Sequence, residues 1–358
     1  MHRSPLREIY FYLTRGCNLS CRHCWLSKAP SGSEHRDSFL PIELFRHAVE
    51  EALPLGLQRV KLTGGEPMLH PHFEELIAFL QAKNLGVNIE TNVTLCTPQQ
   101  AKQLADLRSC FVAVSLDGAD AETHDAVRNK KGAFEETITG IRYLTQVGIK
   151  PQVIFSLFRR NAEQIPRLIQ LAEELGVSSL KFNIVQPIGR ALHLYDQKET
   201  LSVAELIELG RRIDMVFSRS SKVPLIFDYP AAFRPLSTIY RQGNGVCRIE
   251  EIIGVLPTGE YALCGIGESV RELVFGRVGQ DPLAKIWSRN KILKRLHDHL
   301  ADHLQGVCSV CVMKKTCKGS CIAHNYFREK KLFAPFWFCQ EAYEQGLFPT
   351  SRLTNVKK

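Results

Sequence analysis

Between residues 8 and 185 the chain repeats one unit six times, a short apolar run followed by a segment of helical period, and this rhythm limits the fold more than any other feature. The runs at 8–13, 59–62, 86–91, 111–116, 152–157 and 179–185 read as strands. Between them, Phe45, Ala48, Val49 and Ala52 share one helical face over 41–53, and Phe73, Leu76, Ile77 and Leu80 share another. Ile165, Leu168, Ile169, Ala172 and Leu175 form a third, closed by Gly176 as a C-terminal cap. Strand–helix alternation demands a parallel sheet with right-handed crossovers. Six units are too few to close an eightfold barrel, so the expectation is an α/β fold, an open partial (β/α)6 barrel of the TIM type. Residues 203–219 read as a further helix, with Val203, Leu206, Ile207, Ile213, Val216 and Phe217 along its core-facing stripe. From about 224 the rhythm breaks, and 254–263 reads as a hairpin around Pro257-Thr258-Gly259. The expected division is a barrel with bridging helix at 1–220, a small Cys-rich domain of hairpin and short helices at 221–345, and a basic tail at 346–358.

Composition removes several classes of function. With 44% hydrophobic and 23% charged residues among 358, the chain can bury a full core. No apolar run approaches the roughly 20 residues that span a bilayer, and no secretory signal stands near Arg3, Arg7 and Arg15, so a cytoplasmic, membrane-free protein is expected. Net charge is +9, but the basic pairs are scattered, so no nucleic-acid footprint is read.

The 12 cysteines are unevenly placed, three within 17–24 and five within 308–339. Thiols clustered in a reducing compartment point to metal rather than to disulfides. Three thiolates in Cys17-x3-Cys21-x2-Cys24 suffice for three corners of a four-iron cluster and leave one iron open to a small amine and carboxylate. Small buried thiols, or a zinc site one ligand short, are the alternatives. In a barrel the chemistry lies in loops after the strand C-terminal ends. Every such loop here carries polar groups: the Cys loop, Gly64-Gly65-Glu66-Pro67, Glu90-Thr91-Asn92, Ser115-Leu116-Asp117-Gly118, Arg159-Arg160-Asn161 and Gln186-Pro187-Ile188-Gly189-Arg190.

The Cys loop followed by Gly64-Gly65-Glu66-Pro67 resembles the signature of the radical S-adenosylmethionine (radical SAM) superfamily over about 8–190. The resemblance implies a cluster held by Cys17, Cys21 and Cys24, with S-adenosylmethionine on its open iron. Reductive cleavage would then release a 5′-deoxyadenosyl radical, in a site the protein positions and shields. It further implies that Gly64, Gly65 and Glu66 meet the S-adenosylmethionine amino group. Asn92, Ser115, Asp117, Arg128 and Asn183 are cofactor-binding candidates, with a turn the competing reading for Asp117-Gly118 and a surface salt bridge for Arg128 and Arg190. His23 and Trp25 are read as packing around the cluster.

Beyond residue 245, Cys247-x11-Gly259-x4-Cys264, then Cys308-x2-Cys311-x5-Cys317-x3-Cys321, then Cys339 resemble the seven-cysteine pattern of SPASM domains. By that resemblance Cys308, Cys311, Cys317 and Cys339 hold one auxiliary cluster, and Cys247, Cys264 and Cys321 hold another that lacks a fourth thiolate. Three 4Fe-4S clusters are therefore implied. Taken alone, Cys308-x2-Cys311 also suits zinc. Cys96 and Cys110 read as core packing, with hydrogen donation the alternative, and Phe336, Trp337 and Phe338 as an apolar wall beside Cys339. Such enzymes mostly modify peptides. Gly265 stands where sulfatase-maturing members carry an acidic residue, and Cys317 where the pyrroloquinoline quinone enzyme uses another ligand. The resulting expectation is a maturase of a ribosomally made peptide, acting by cross-linking, epimerisation or backbone excision. Its expected partners are a leader-bearing peptide, an external electron donor such as flavodoxin or ferredoxin, and a separate small recognition protein. A quinone- or haem-pathway enzyme, or a sulfatase-type protein maturase, is the alternative, and a non-catalytic zinc protein a distant one.

Overall fold

The computed structural model describes residues 4–26, 39–243, 245–298 and 300–354. Among these, ten strands form one sheet in the order β10-β9-β8-β1-β2-β3-β4-β5-β6-β7. The repeating units are β1 (Glu8–Thr14), α1 (Ile42–Ala52), β2 (Arg59–Gly64), α2 (Phe73–Ala82), β3 (Gly86–Thr91), α3 (Pro98–Ala105), β4 (Cys110–Ser115), α4 (Ala121–Arg128), α5 (Ala133–Gln146), β5 (Gln152–Leu157), α6 (Ile165–Glu174) and β6 (Ser179–Ile184). All neighbouring pairs from β1 to β6 are parallel. The helical faces read from spacing are the buried ones: Phe45, Ala48, Val49 and Ala52 in α1, and Ile165, Leu168, Ile169 and Ala172 in α6. Gly176 takes a left-handed φ of 67° after α6.

The sheet passes the boundary expected near 220. A seventh parallel strand, β7 (Leu225–Asp228), pairs with β6. On the other side β8 (Ile252–Val255) lies parallel to β1, and β9 (Glu260–Ala262) and β10 (Val274–Arg277) continue antiparallel. An open barrel leaves the outer edge of β1 unpaired, and the fully buried β8 satisfies it. The expected hairpin is β8–β9, with Gly259 at φ 82° in its turn.

Short α7 (Ala191–Asp196) precedes α8 (Val203–Arg212), which opens on a capping box between Ser202 and Glu205. The expected stripe holds at Phe217, half-buried against the core, but fails at Val216, where Ile213–Phe217 form a π turn that leaves it 57% exposed. The wider turn slips the helical phase and carries that side chain outward. Of the expected basic tail, Thr350–Arg352 form a short 3-10 helix, and 355–358 lie outside the described residues. No described helix is long and apolar enough to cross a membrane.

Candidate active site

The Cys17–Cys24 loop leaves the C-terminal end of β1 and is pinned from four sides. Gly65 N–H donates to Thr14 O (2.9 Å) and Glu66 N–H to Gly16 O (3.0 Å). Ser20 and Arg22 N–H donate to the carbonyls of Arg128 and Val127 at the end of α4 (3.3 and 3.0 Å), and Arg190 N–H donates to Cys24 O (3.0 Å). Glycine is required at the tightest contacts. A Cβ on Gly65 would lie 1.8 Å from Gly16 O, and Gly64 has a φ of 121°. Leu19 and Cys21 pack with Ala133, flanked by half-buried Cys17 and Cys24. Burial, with Glu66 second, pushes the Cys17 thiol up to about 12. Burial also raises the Cys21 thiol, against the pull of Arg128.

Glu66 is 1% exposed. It accepts hydrogen bonds from Met68 N–H (3.1 Å), Thr91 Oγ1 (2.7 Å) and Asn92 N–H (2.8 Å). The carboxylate ties the loops after β2 and β3 together, leaving the glycine backbone as the approach surface. Asn92 donates to Asn18 Oδ1 (2.9 Å), and its Nδ2 stands 3.7 Å from Cys17 Sγ. Asn18 in turn donates to Thr94 Oγ1 (2.7 Å), a brace that sequence reading missed because its residues are unremarkable singly.

Asp117 and Arg128 depart from expectation. They are turned toward each other in the interior, Arg128 Nη2 to Asp117 Oδ2 at 2.7 Å, with side chains 7% and 0% exposed. Neither is a surface salt bridge, and Asp117 lines no open surface. Burial alone would neutralise each, but the partner's charge outweighs it, so the carboxyl sits below and the guanidinium above its ordinary range. His23, half-buried beside Asp117 at 3.6 Å, is pushed down to about 4 by desolvation. Ser115 ends β4 half-buried beside Ile154 of β5, and Ser156 pairs in register with Asn183 of β6. Asn183 Oδ1 and His23 Nδ1 are buried with no hydrogen-bond partner. These orphaned atoms, three thiols and bare glycine backbone fit a polar cofactor seated on a cluster.

Strand faces turned away from the helices carry polar residues at alternate positions, including ion pairs Lys61–Glu90 (2.8 Å) and Lys181–Asp228 (3.2 Å). Sequence reading missed them, although the alternation was the available signal: fully covered parallel strands are apolar on both faces.

The remaining thiols form two sets. Cys308, Cys311, Cys317 and Cys339 line one cavity with Pro230, Ala232 and Phe348. Phe336, Trp337 and Phe338 are buried beside it. Burial is the main cause that raises the Cys247 and Cys264 thiols, and nearby Cys321 raises both further. Gly265 follows from packing, since a Cβ there would lie 2.3 Å from the Tyr12 ring. Cys96 is buried in the core and Cys110 half-buried against it.

A thiol-bearing loop at the mouth of an open α/β barrel, with a Cys-rich extension on the same sheet, defines a class of cluster-dependent radical enzymes. Residues 11–172 match the Radical SAM superfamily model, so the chain carries a Radical SAM domain. It is 29% identical over 345 residues to the AdoMet-dependent heme synthase of Methanosarcina barkeri, covering 89% of this chain and 92% of that protein. It is 27% identical over 342 residues to the mycofactocin maturase MftC of Mycolicibacterium smegmatis (92% and 82%). In fold it is similar to Streptococcus suis SuiB bound to the precursor peptide SuiA, with a TM-score of 0.72, 18% identity and coverage of 94% and 76%. The chain is a radical SAM enzyme, and its family implies a 4Fe-4S cluster and S-adenosylmethionine.

Proposed function

We propose that this chain modifies a ribosomally made peptide, using three 4Fe-4S clusters. When bound, the N-terminal cluster and S-adenosylmethionine supply a 5′-deoxyadenosyl radical on reduction by an external donor such as flavodoxin or ferredoxin. Cys17, Cys21 and Cys24 hold that cluster, and the backbone of Gly64 and Gly65 receives the amino end of S-adenosylmethionine. Glu66 and Asn92 brace those loops. Ser115 and Asn183 present polar groups from β4 and β6 at the mouth. Cys308, Cys311, Cys317 and Cys339 hold one auxiliary cluster and Cys247, Cys264 and Cys321 another, with a corner left for a non-cysteine ligand or a substrate thiolate. The division into a 1–220 barrel and a 221–345 cluster domain is a division of chemistry, since one sheet runs through both.

The observation that carries the reading is the convergence of the Cys loop, Gly64-Gly65 and the ends of β3, β4 and β6 at one mouth. The peptide class rests on likeness to a maturase and to a peptide-bound fold. Co-expression with a short peptide encoded beside this gene, followed by mass spectrometry, tests it. Loss of two hydrogens marks a cross-link, and a large loss marks excision. An unchanged mass with D-residues on chiral analysis marks epimerisation. A peptide unaltered by all three measures counts against the proposal. The 29% identity to a haem synthase favours a second reading, a haem-pathway enzyme. Anaerobic consumption of a porphyrin precursor with S-adenosylmethionine and dithionite would select it. Leader recognition by a separate small protein belongs to the first reading, and tight leader binding by this chain alone would remove it.

A further inference from the structure

Cys21 is held by a guanidinium. Arg128 Nη1 donates to Cys21 Sγ at 3.4 Å, while Nη2 of the same side chain meets Asp117 Oδ2 at 2.7 Å. The other Asp117 oxygen accepts from Ser156 N–H (2.7 Å), its backbone N–H donates to His124 Nδ1 (3.1 Å), and Asn161 Nδ2 donates to its carbonyl (3.0 Å). The carboxylate is therefore fixed by β5 and by the loop that follows it. It fixes the guanidinium, and the guanidinium meets the thiol from the last residue of α4. Two backbone bonds from Ser20 and Arg22 to that helix end make the coupling rigid. Arg128 touches the sulfur directly, and Asp117 stands behind it on the guanidinium.

We infer that Arg128 is a positioning residue for the ligand thiolate of Cys21, that Asp117 is its anchor, and that the pair tunes the reduction potential of the cluster this loop holds. Its physical basis is that a donor and a cation at a thiolate stabilise the reduced, more negative state, and hydrogen bonds to ligand sulfur are a recognised lever on potential. Asp117 opposes this from behind the guanidinium. Removing the cation lowers the potential, and removing the anion raises it. A purely structural role would not produce shifts of opposite sign.

The inference rests on the Cys17–Cys24 loop being the cluster holder, and that premise fails separately: wild-type protein would then show no cluster signal that S-adenosylmethionine perturbs. The test is an EPR-monitored redox titration of anaerobically reconstituted wild type, Arg128→Gln and Asp117→Asn, following only the S-adenosylmethionine-sensitive signal. At a fixed potential we expect the reduced-to-oxidised ratio to fall about tenfold in Arg128→Gln, or 59 mV for one electron, and to rise in Asp117→Asn. Arg128→Gln leaves Asp117 buried without its cation, so the double variant Arg128→Gln/Asp117→Asn, which removes both charges, keeps the measurement available if the single one does not fold. Its potential should lie between those of wild type and Arg128→Gln. Unchanged potentials, or shifts of one sign in both single variants, overturn the inference.

Discussion

A single methyl group at residue 65 would test the packing of the whole cysteine loop. The Gly65 Cβ position lies 1.8 Å from a backbone oxygen, which no side-chain rotation relieves. Gly65→Ala should therefore displace Gly16 and cost the N-terminal cluster, seen as a loss of about four irons per chain and of deoxyadenosine formation from S-adenosylmethionine with dithionite. Normal iron and normal cleavage in this variant would refute the close approach. The glycine pair and the three cysteines were legible in the sequence because their spacing is local. The Asp117–Arg128 pair was named there for a different role. Nothing in a separation of eleven residues tells whether two charges face a ligand or each other, and only the fold turns both inward.

Elements inherit their precision from their ends. The Asp120 side chain caps α4 by accepting from Thr123 N–H (2.9 Å), and Asn129 closes the helix at φ 55°. This short helix ends on Arg128, so its caps aim the residue that meets Cys21. Asp120→Ala should cost about 1 kcal/mol of stability, measured by denaturant unfolding, while Asp120→Asn should keep most of it. Equal stability in Asp120→Ala and wild type would show that neighbouring contacts, such as Gln164 to Asp120 Oδ2 (2.7 Å), hold the helix without the cap. The six strand–helix units were readable from period alone. β7 was not, and β8 was read only as one arm of a hairpin and not as a partner of β1, because four residues carry too little periodicity to show which edge they join.

Across the molecule, one sheet links the barrel to the hairpin of the Cys-rich region, so the thiol sets are built on a common frame. The reading of three clusters predicts about twelve irons per chain. Replacing Cys308 and Cys311 together with Ala should remove about four of them and leave deoxyadenosine formation in place, measured by iron analysis and chromatography. Replacing Cys17, Cys21 and Cys24 should do the reverse, removing cleavage while most iron remains. Loss of all iron in both variants would mean that the sets do not load independently.

The chain's own order of residues determined the number of parallel units, the faces of the helices, the cysteine spacings and the glycines that let loops touch. Each is a local pattern written in periods of two, of three to four, or in short separations. Tertiary structure alone decided which polar groups stay available. Glu66, Asp117 and Arg128 carry the right charges for a ligand, yet the fold buries them against partners that include Thr91, Asn92, Ser156 and one another, which no local pattern shows.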